Sequence, residues 1–60
     1  YGSTHPEIGL SLGHIAVIHH MRGDEQKARS FYTAALAILD EFPGLHDAER
    51  AILQANLEEI

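Results

Sequence analysis

The stretch LGHIAVIHHMRGDEQKARSFYTAA, from Leu12 to Ala35, decides the fold that the sequence predicts. It holds two helix-forming segments, separated by the short break Arg22-Gly23-Asp24. Glycine is a common interruption of regular structure, and aspartate is a favourable cap for a following helix. A connection this short returns the second helix antiparallel to the first. The stretch therefore predicts a helical hairpin.

The first helix of the hairpin is predicted at about residues 6–21. Thr4 and Glu7 fit a capping box, and Pro6 is tolerated in a first turn. Apolar residues and one histidine then recur on one face of the helix, at Ile8, Leu12, Ile15, Ala16 and His19. A second, offset stripe consists of Leu10, Val17 and Met21. A helix with two apolar faces is usually covered on more than one side.

Two further helices are predicted, at about residues 24–41 and 47–59. The first of them has Asp24 as its cap, and Pro43-Gly44 follows its end. Its apolar stripe consists of Ala28, Phe31, Tyr32, Ala35, Leu39 and Phe42. The last helix has Asp47 as a cap and the looser stripe Ala48, Ile52, Leu53, Leu57 and Ile60. No stretch alternates long enough to predict a strand, so we expect one all-α segment over residues 1–60.

Composition limits the partners and the setting that we expect. The net charge is −5, and the four basic residues, Arg22, Lys27, Arg29 and Arg50, are scattered, so neither nucleic acid nor an anionic membrane is an expected partner. No apolar run approaches the length of a bilayer span. Cysteine is absent, which excludes disulfides and fits an intracellular, cytoplasmic setting. Because the chain begins at Tyr1 without methionine, we expect it to be part of a longer protein.

A pattern of large and small side chains spans the hairpin. From Gly9 to Phe42 the window is 34 residues long, which is the length of a tetratricopeptide repeat (TPR). Within it, the pattern resembles the TPR signature at Leu12, Ile15, Ala16, His19, Gly23, Ala28, Tyr32 and Ala35. Only His19 departs, because a tyrosine is usual there. The resemblance implies that three alanines allow a close approach of two helices, and that Leu12, Ile15 and Tyr32 fill the space around them.

A finer resemblance is to the longer repeats of the kinesin light chain type. His5-Pro6-Glu7 and the segment Ala35-Leu36-Ala37-Ile38 are similar to motifs of those repeats. His46-Asp47 recurs 41 residues after His5-Pro6, which indicates that another repeat begins with the third helix. The pattern then degrades at Asn56 and Leu57. The third helix therefore resembles either a degenerate repeat or a capping helix of an α-solenoid.

The resemblance also implies a binding surface. In TPR proteins the first helix of each hairpin lines a groove that accepts peptides or helices. Carried onto this chain, that face consists of Leu10, Gly13, His14, Val17, His20 and Met21. It has none of the Lys, Arg or Asn residues with which chaperone-binding members hold a peptide carboxylate, and Gly13-His14 stand where light-chain repeats often have two asparagines. An apolar partner segment is therefore the expected ligand.

Neither metal binding nor catalysis is predicted. Two histidines on one helix share an ion when they are four residues apart, and His14, His19 and His20 offer no such pair. They are expected to pack or to be solvated, although a pH response of His19 or His20 stays open. Ser11 lies three residues before His14, but nothing in the sequence implies a cleft or an oxyanion donor. We expect no enzymatic activity, no metal and no cofactor.

The predicted function is a protein–protein interaction module, one TPR-like repeat of an adaptor or scaffold with an apolar groove. The partner is expected to be a protein or peptide, or neighbouring repeats of the same chain. The alternative is a structural element that self-associates into a homo-oligomer or docks permanently in a larger assembly. Obligate interfaces are the more hydrophobic ones, so the apolar groove face also fits this alternative.

Overall fold

The fold is known from a computed structural model, which describes residues 5–60. In this range the chain is all-α, as the sequence predicts, and has no strand. Helix α1 spans Pro6–Met21, α2 spans Glu25–Leu39 and α3 spans Asp47–Glu58. None of these helices combines the length and the apolar character needed to cross a lipid bilayer.

Helices α1 and α2 form an antiparallel hairpin. Near the turn, Nδ1 of His20 lies 3.1 Å from the hydroxyl oxygen of Tyr32. At the other end of the hairpin, Gly9 adjoins Leu39, and a Cβ atom built on this glycine would lie 3.0 Å from the Leu39 side chain. The start of α1 thus meets the end of α2, and the end of α1 meets the middle of α2, as in the predicted antiparallel hairpin.

The turn between α1 and α2 depends on two residues. Gly23 has a φ of +83°, in the left-handed region that glycine adopts at little cost. The carboxylate of Asp24 accepts a hydrogen bond of 3.4 Å from the backbone N–H of Lys27. This bond satisfies one of the free donors at the start of α2, and it confirms Asp24 as the cap.

The core lies mainly between α1 and α2 and consists of small residues closed by a few large ones. Three alanines are fully buried, Ala16, Ala28 and Ala35. Tyr32 and Leu39 are the largest fully buried side chains, and α3 adds Leu53, which is 6% exposed. Alanine on both helices lets the two backbones approach closely, so that Tyr32 and Leu39 fill the remaining space.

The segment between α2 and α3 differs in two respects from the sequence-based expectation. Helix α2 ends at Leu39, before the predicted end at Glu41, and a turn leads into Pro43. Asp47 does not cap α3 but lies in its first turn, where a carboxylate still interacts favourably with the helix dipole. The capping position belongs to His46, whose φ of 59° is left-handed and whose side chain makes no capping bond.

The start of α1 was expected to be a capping box. His5 occupies the capping position and makes no side-chain capping bond, while Pro6 begins the helix. The predicted contribution of Thr4 lies outside the described residues.

The predicted stripe of α1 is only partly buried. Ile8 is 42% exposed and Ile15 is 38% exposed, so the expectation that Ile15 fills the space around the alanines is wrong. Gly9 and Gly13 are buried together with Ala16 instead. The smallest residues of α1 therefore form its contact line, because only they allow the neighbouring helices to come close, and the isoleucines beside this line are left partly in solvent.

Candidate functional site

An apolar groove lies between α1 and α3 and has a volume of about 150 Å³. We call it the α1–α3 groove. Its lining comes from two helices that are far apart in the sequence, and it consists of Leu10, Gly13, His14, Val17, Glu49, Ile52 and Leu53. The first four were predicted to line a partner-binding face, and the structure brings them together.

The side of the groove formed by α1 follows from helical spacing. Leu10 and Val17 are seven residues apart, so they lie on the same face of α1 with Gly13 and His14 between them. Both side chains are half-buried, which leaves part of each accessible in the groove.

Gly13 sets how closely α3 approaches α1. A Cβ atom at Gly13 would lie 2.8 Å from one methyl carbon of Leu53 and 2.9 Å from the other, closer than side chains tolerate. Leu53 therefore fills the space that a side chain at this position would occupy. Leu53 is buried, whereas its neighbour on the helix, Ile52, is 59% exposed beside the groove.

Two polar side chains belong to this otherwise apolar lining, His14 and Glu49. His14 is exposed, and the side chain of Glu49 is 53% exposed. Nδ1 of His46 lies 4.0 Å from one carboxylate oxygen of Glu49, an ion pair only when the histidine is protonated. The groove is therefore apolar with one acidic group that solvent reaches.

Two of the six predicted partner-binding residues do not line the groove. His20 points toward α2, where its ring is perpendicular to the ring of Tyr32 and their polar atoms form a hydrogen bond. Met21 is 82% exposed at the last residue of α1. His20 is four residues after the buried Ala16, so it continues the face that contacts α2.

The predicted signature residues lie mostly along the α1–α2 contact. The three alanines and Tyr32 are fully buried, Leu12 packs partly buried against them, and Gly23 forms the turn. The ring of His19 stacks on that of Phe31, with centroids 5.4 Å apart and planes at 4°. His19 thus fills an aromatic position, as expected, while Ile15 is outside this cluster.

Burial changes the acidity of the phenol of Tyr32. Burial of Tyr32 raises its pKa above the usual 10.0, because the charged phenolate is poorly solvated there. The carboxylate of Glu59 raises this pKa further, and a hydrogen bond from the Asn56 side chain opposes the shift. Tyr32 therefore stays protonated at neutral pH, and its hydroxyl group is hydrogen-bonded to His20 of α1.

A second apolar surface lies on the outer side of α1. Ile8, Ile15 and Ile18 are 42%, 38% and 50% exposed. We call these three residues the exposed isoleucine face. From Ile8 to Met21 the helix has no Asp, Glu, Lys or Arg. This face is therefore apolar and free of formal charge.

The α3 side of the groove is the part that sequence reasoning missed. Ile52 and Leu53 were assigned to an apolar stripe, but neither they nor Glu49 were assigned to a binding surface. The available signal was the apolar stripe of α3 together with the glycine at position 13, which needs a large neighbour to bury it. The contact between Gly13 and the apolar stripe of α3 depends on the orientation of α3, which local sequence patterns do not specify.

Within residues 5–60, no group of three or more His, Asp or Glu side chains is close enough to hold a metal ion. Comparison of the chain with models of protein families, with curated proteins and with solved structures found no match.

Proposed function

We propose that this chain is a protein–protein interaction module that binds a peptide or helix in the α1–α3 groove. The observation that supports the proposal is the accessible apolar lining of that groove, to which Leu10, Val17 and Ile52 contribute. Apolar side chains around a concave surface, with few polar groups among them, are typical of binding sites. The proposed context is one TPR-like repeat of an adaptor or scaffold, an assignment supported by the fully buried alanines of the hairpin.

The position of the groove supports the proposed TPR-like arrangement. It lies between the first helix of the hairpin and the helix that follows the hairpin, and α2 is not among the elements that line it. Binding in such a groove needs no rearrangement of the α1–α2 core, because α2 contributes no residue to the groove lining. A partner can therefore bind while the hairpin stays intact.

The test uses two neighbouring substitutions. Short random peptides displayed on phage are selected on the chain, and their affinities are then measured for Val17→Glu and Ile18→Glu. Both variants add one negative charge to α1, but Val17 lines the groove whereas Ile18 is 50% exposed on another face. Val17→Glu should weaken binding at least about tenfold, because it places a carboxylate against the apolar part of the ligand. Ile18→Glu should leave the affinity nearly unchanged.

Circular dichroism on both variants decides how the result is interpreted. Helix content should stay close to that of the parent chain, since neither side chain is part of the fully buried core. If Val17→Glu removes helix content together with binding, Val17 belongs to a structural contact and the groove proposal fails. Equal losses of affinity in the two variants would also contradict a site confined to the groove.

A second candidate function is self-association through the exposed isoleucine face. Three partly exposed isoleucines form an apolar surface that favours a contact between two copies of the chain. The whole chain has a net charge of −5, but this face has no formal charge, so no like charges meet at such a contact. This candidate predicts a dimer or larger species by light scattering, and Ile15→Lys should return the chain to a monomer. A folded monomer of the parent chain at the same concentration would count against it.

A further inference from the structure

The size of the α1–α3 groove limits what can enter it. A volume of about 150 Å³ is comparable to the apolar cavities that bind a benzene-sized molecule. The groove therefore accommodates one side chain of the size of leucine or phenylalanine. The backbone that bears this side chain must pass along the open side of the groove, where it meets the polar residues of the lining.

Glu49 is the one residue of the groove lining that carries a formal charge at neutral pH. Within residues 5–60, no Lys or Arg is in ion-pair contact with Glu49, because the adjacent Arg50 pairs with Asp40 instead. The remaining titratable neighbours are His46, at 4.0 Å, and the exposed His14 across the groove. A carboxylate beside an apolar groove is thus accessible to a cation supplied by a ligand.

We infer that the groove selects a basic–apolar peptide segment, one in which a leucine- or phenylalanine-sized side chain has a neighbouring lysine or arginine. The apolar side chain would occupy the groove, and the cation would pair with the Glu49 carboxylate. This inference rests on the proposed function and specifies its ligand. The net charge of −5 acts in the same direction, since it attracts a basic segment over longer distances and repels an acidic one.

The pairing with Glu49 contributes selectivity more than affinity. An ion pair at a partly exposed carboxylate is a small effect, equivalent to about twofold to fivefold in a dissociation constant, and salt weakens it. An acidic flank loses this contribution and adds repulsion from Glu49. The apolar contact in the groove is common to both kinds of ligand, so charge decides between them.

The experiment uses three fluorescent synthetic peptides with the same Leu-Phe centre. Their flanking residues are lysines, glutamines or glutamates, and fluorescence anisotropy measures their affinity for the complete chain. The lysine peptide should bind tightest and the glutamate peptide weakest. Glu49→Gln should weaken the lysine peptide about twofold to fivefold and leave the glutamine peptide unchanged.

Two further variants separate a local ion pair from general attraction and test the groove itself. Glu25→Gln makes the same change of charge on α2, outside the groove, and should leave the preference for lysine intact. Val17→Gln makes the groove more polar without changing the net charge, and it should weaken all three peptides.

The outcomes distinguish the inference from the proposed function. If Val17→Gln weakens all three peptides but the glutamate peptide binds as tightly as the lysine peptide, the groove is a binding site and the inference is wrong. The inference is also wrong if Glu25→Gln lowers the lysine preference as much as Glu49→Gln does. If no peptide binds, or Val17→Gln changes nothing, both the proposed function and the inference fail.

Discussion

Helix α1 has two neighbours, and its two interfaces differ in how completely they are closed. Toward α2 the contact is made of alanines and closed by Tyr32 and Leu39, all without solvent exposure. Toward α3 a single buried leucine, Leu53, packs on Gly13, and a groove stays open beside that contact. The α1–α2 interface is thus a closed core, whereas the α1–α3 interface is a limited contact with accessible apolar surface.

Under the proposed function, this difference assigns stability to one interface and partner binding to the other in a chain of 60 residues. A chain of this size buries only about 60% of its unfolded surface, so little apolar surface is available beyond what stability needs. The α1–α2 interface uses its apolar residues for folding. The α1–α3 interface leaves Val17 half-buried and Ile52 mostly exposed, and these are the residues that a partner can still cover.

The largest expected effect is at the closed interface. Ala28→Leu adds three carbon atoms at a position with no solvent exposure, between helices that alanine holds close together. We expect a loss of about 3 kcal/mol in the free energy of unfolding, because such overpacking forces the helices apart. Thermal melting followed by circular dichroism measures this loss.

The control for that prediction lies on the same helix. Ala34→Leu adds the same atoms at an exposed position of α2, and it should change the melting temperature little. An unchanged melting curve for Ala28→Leu would count heavily against both the closed interface and the TPR-like assignment of the hairpin.

A smaller effect is expected at the open interface. Leu53→Ala removes the one buried side chain of α3, which should cost about 2 kcal/mol and release α3 from the hairpin. Hydrogen exchange should then become faster in residues 47–58 and stay slow in α1 and α2.

The adjacent residue provides the matched control for α3. Ile52→Ala removes a branched side chain that is 59% exposed, so it should leave the exchange of α3 nearly unchanged. If Leu53→Ala speeds exchange equally in all three helices, the two interfaces form a single cooperative unit and the comparison between them is wrong.

The smallest effect concerns the hydrogen bond between Tyr32 and His20. Tyr32→Phe removes the hydroxyl group and leaves the ring, so we expect a loss of about 1 kcal/mol in the free energy of unfolding. The pKa of Tyr32 is raised in the folded chain, which means that the unfolded chain loses this proton first as the pH rises. Stability should therefore decline from about pH 10 upward.

Melting curves at about pH 9 and about pH 11 test the pH effect, because the unperturbed phenol titrates between them. The parent chain should lose more stability over this interval than Tyr32→Phe, which shares its other titrating groups. Equal losses in the two chains would mean that Tyr32 does not carry the alkaline instability.

The sequence predicts the closed interface much better than the open one. Alanines at helical spacing and the Gly23-Asp24 turn specify the hairpin locally, and the structure has all of them where they were expected. The sequence also predicts the α1 half of the groove, because Leu10 and Val17 lie on the same face of α1 whatever packs against that face. His20 was assigned wrongly to that face, because the tyrosine that draws it toward α2 is twelve residues away.

The α3 half of the groove depends on geometry that local patterns do not contain. A seven-residue connection, 40–46, orients α3, and it includes left-handed conformations at Gly44 and His46. A left-handed backbone conformation is uncommon for residues other than glycine, so the orientation of α3 could not be predicted from the sequence. Without the orientation of α3, the sequence does not predict that Leu53 contacts Gly13 or that Glu49 lies beside the groove.

The most direct test of the central claim is an NMR titration of the isotope-labelled chain with the lysine-flanked Leu-Phe peptide. If the α1–α3 groove binds the peptide, backbone amide signals should shift in residues 10–17 of α1 and 49–53 of α3, while those of α2 stay in place. Shifts centred on Ile8 and Ile18, or spread evenly over all three helices, would contradict binding in the groove.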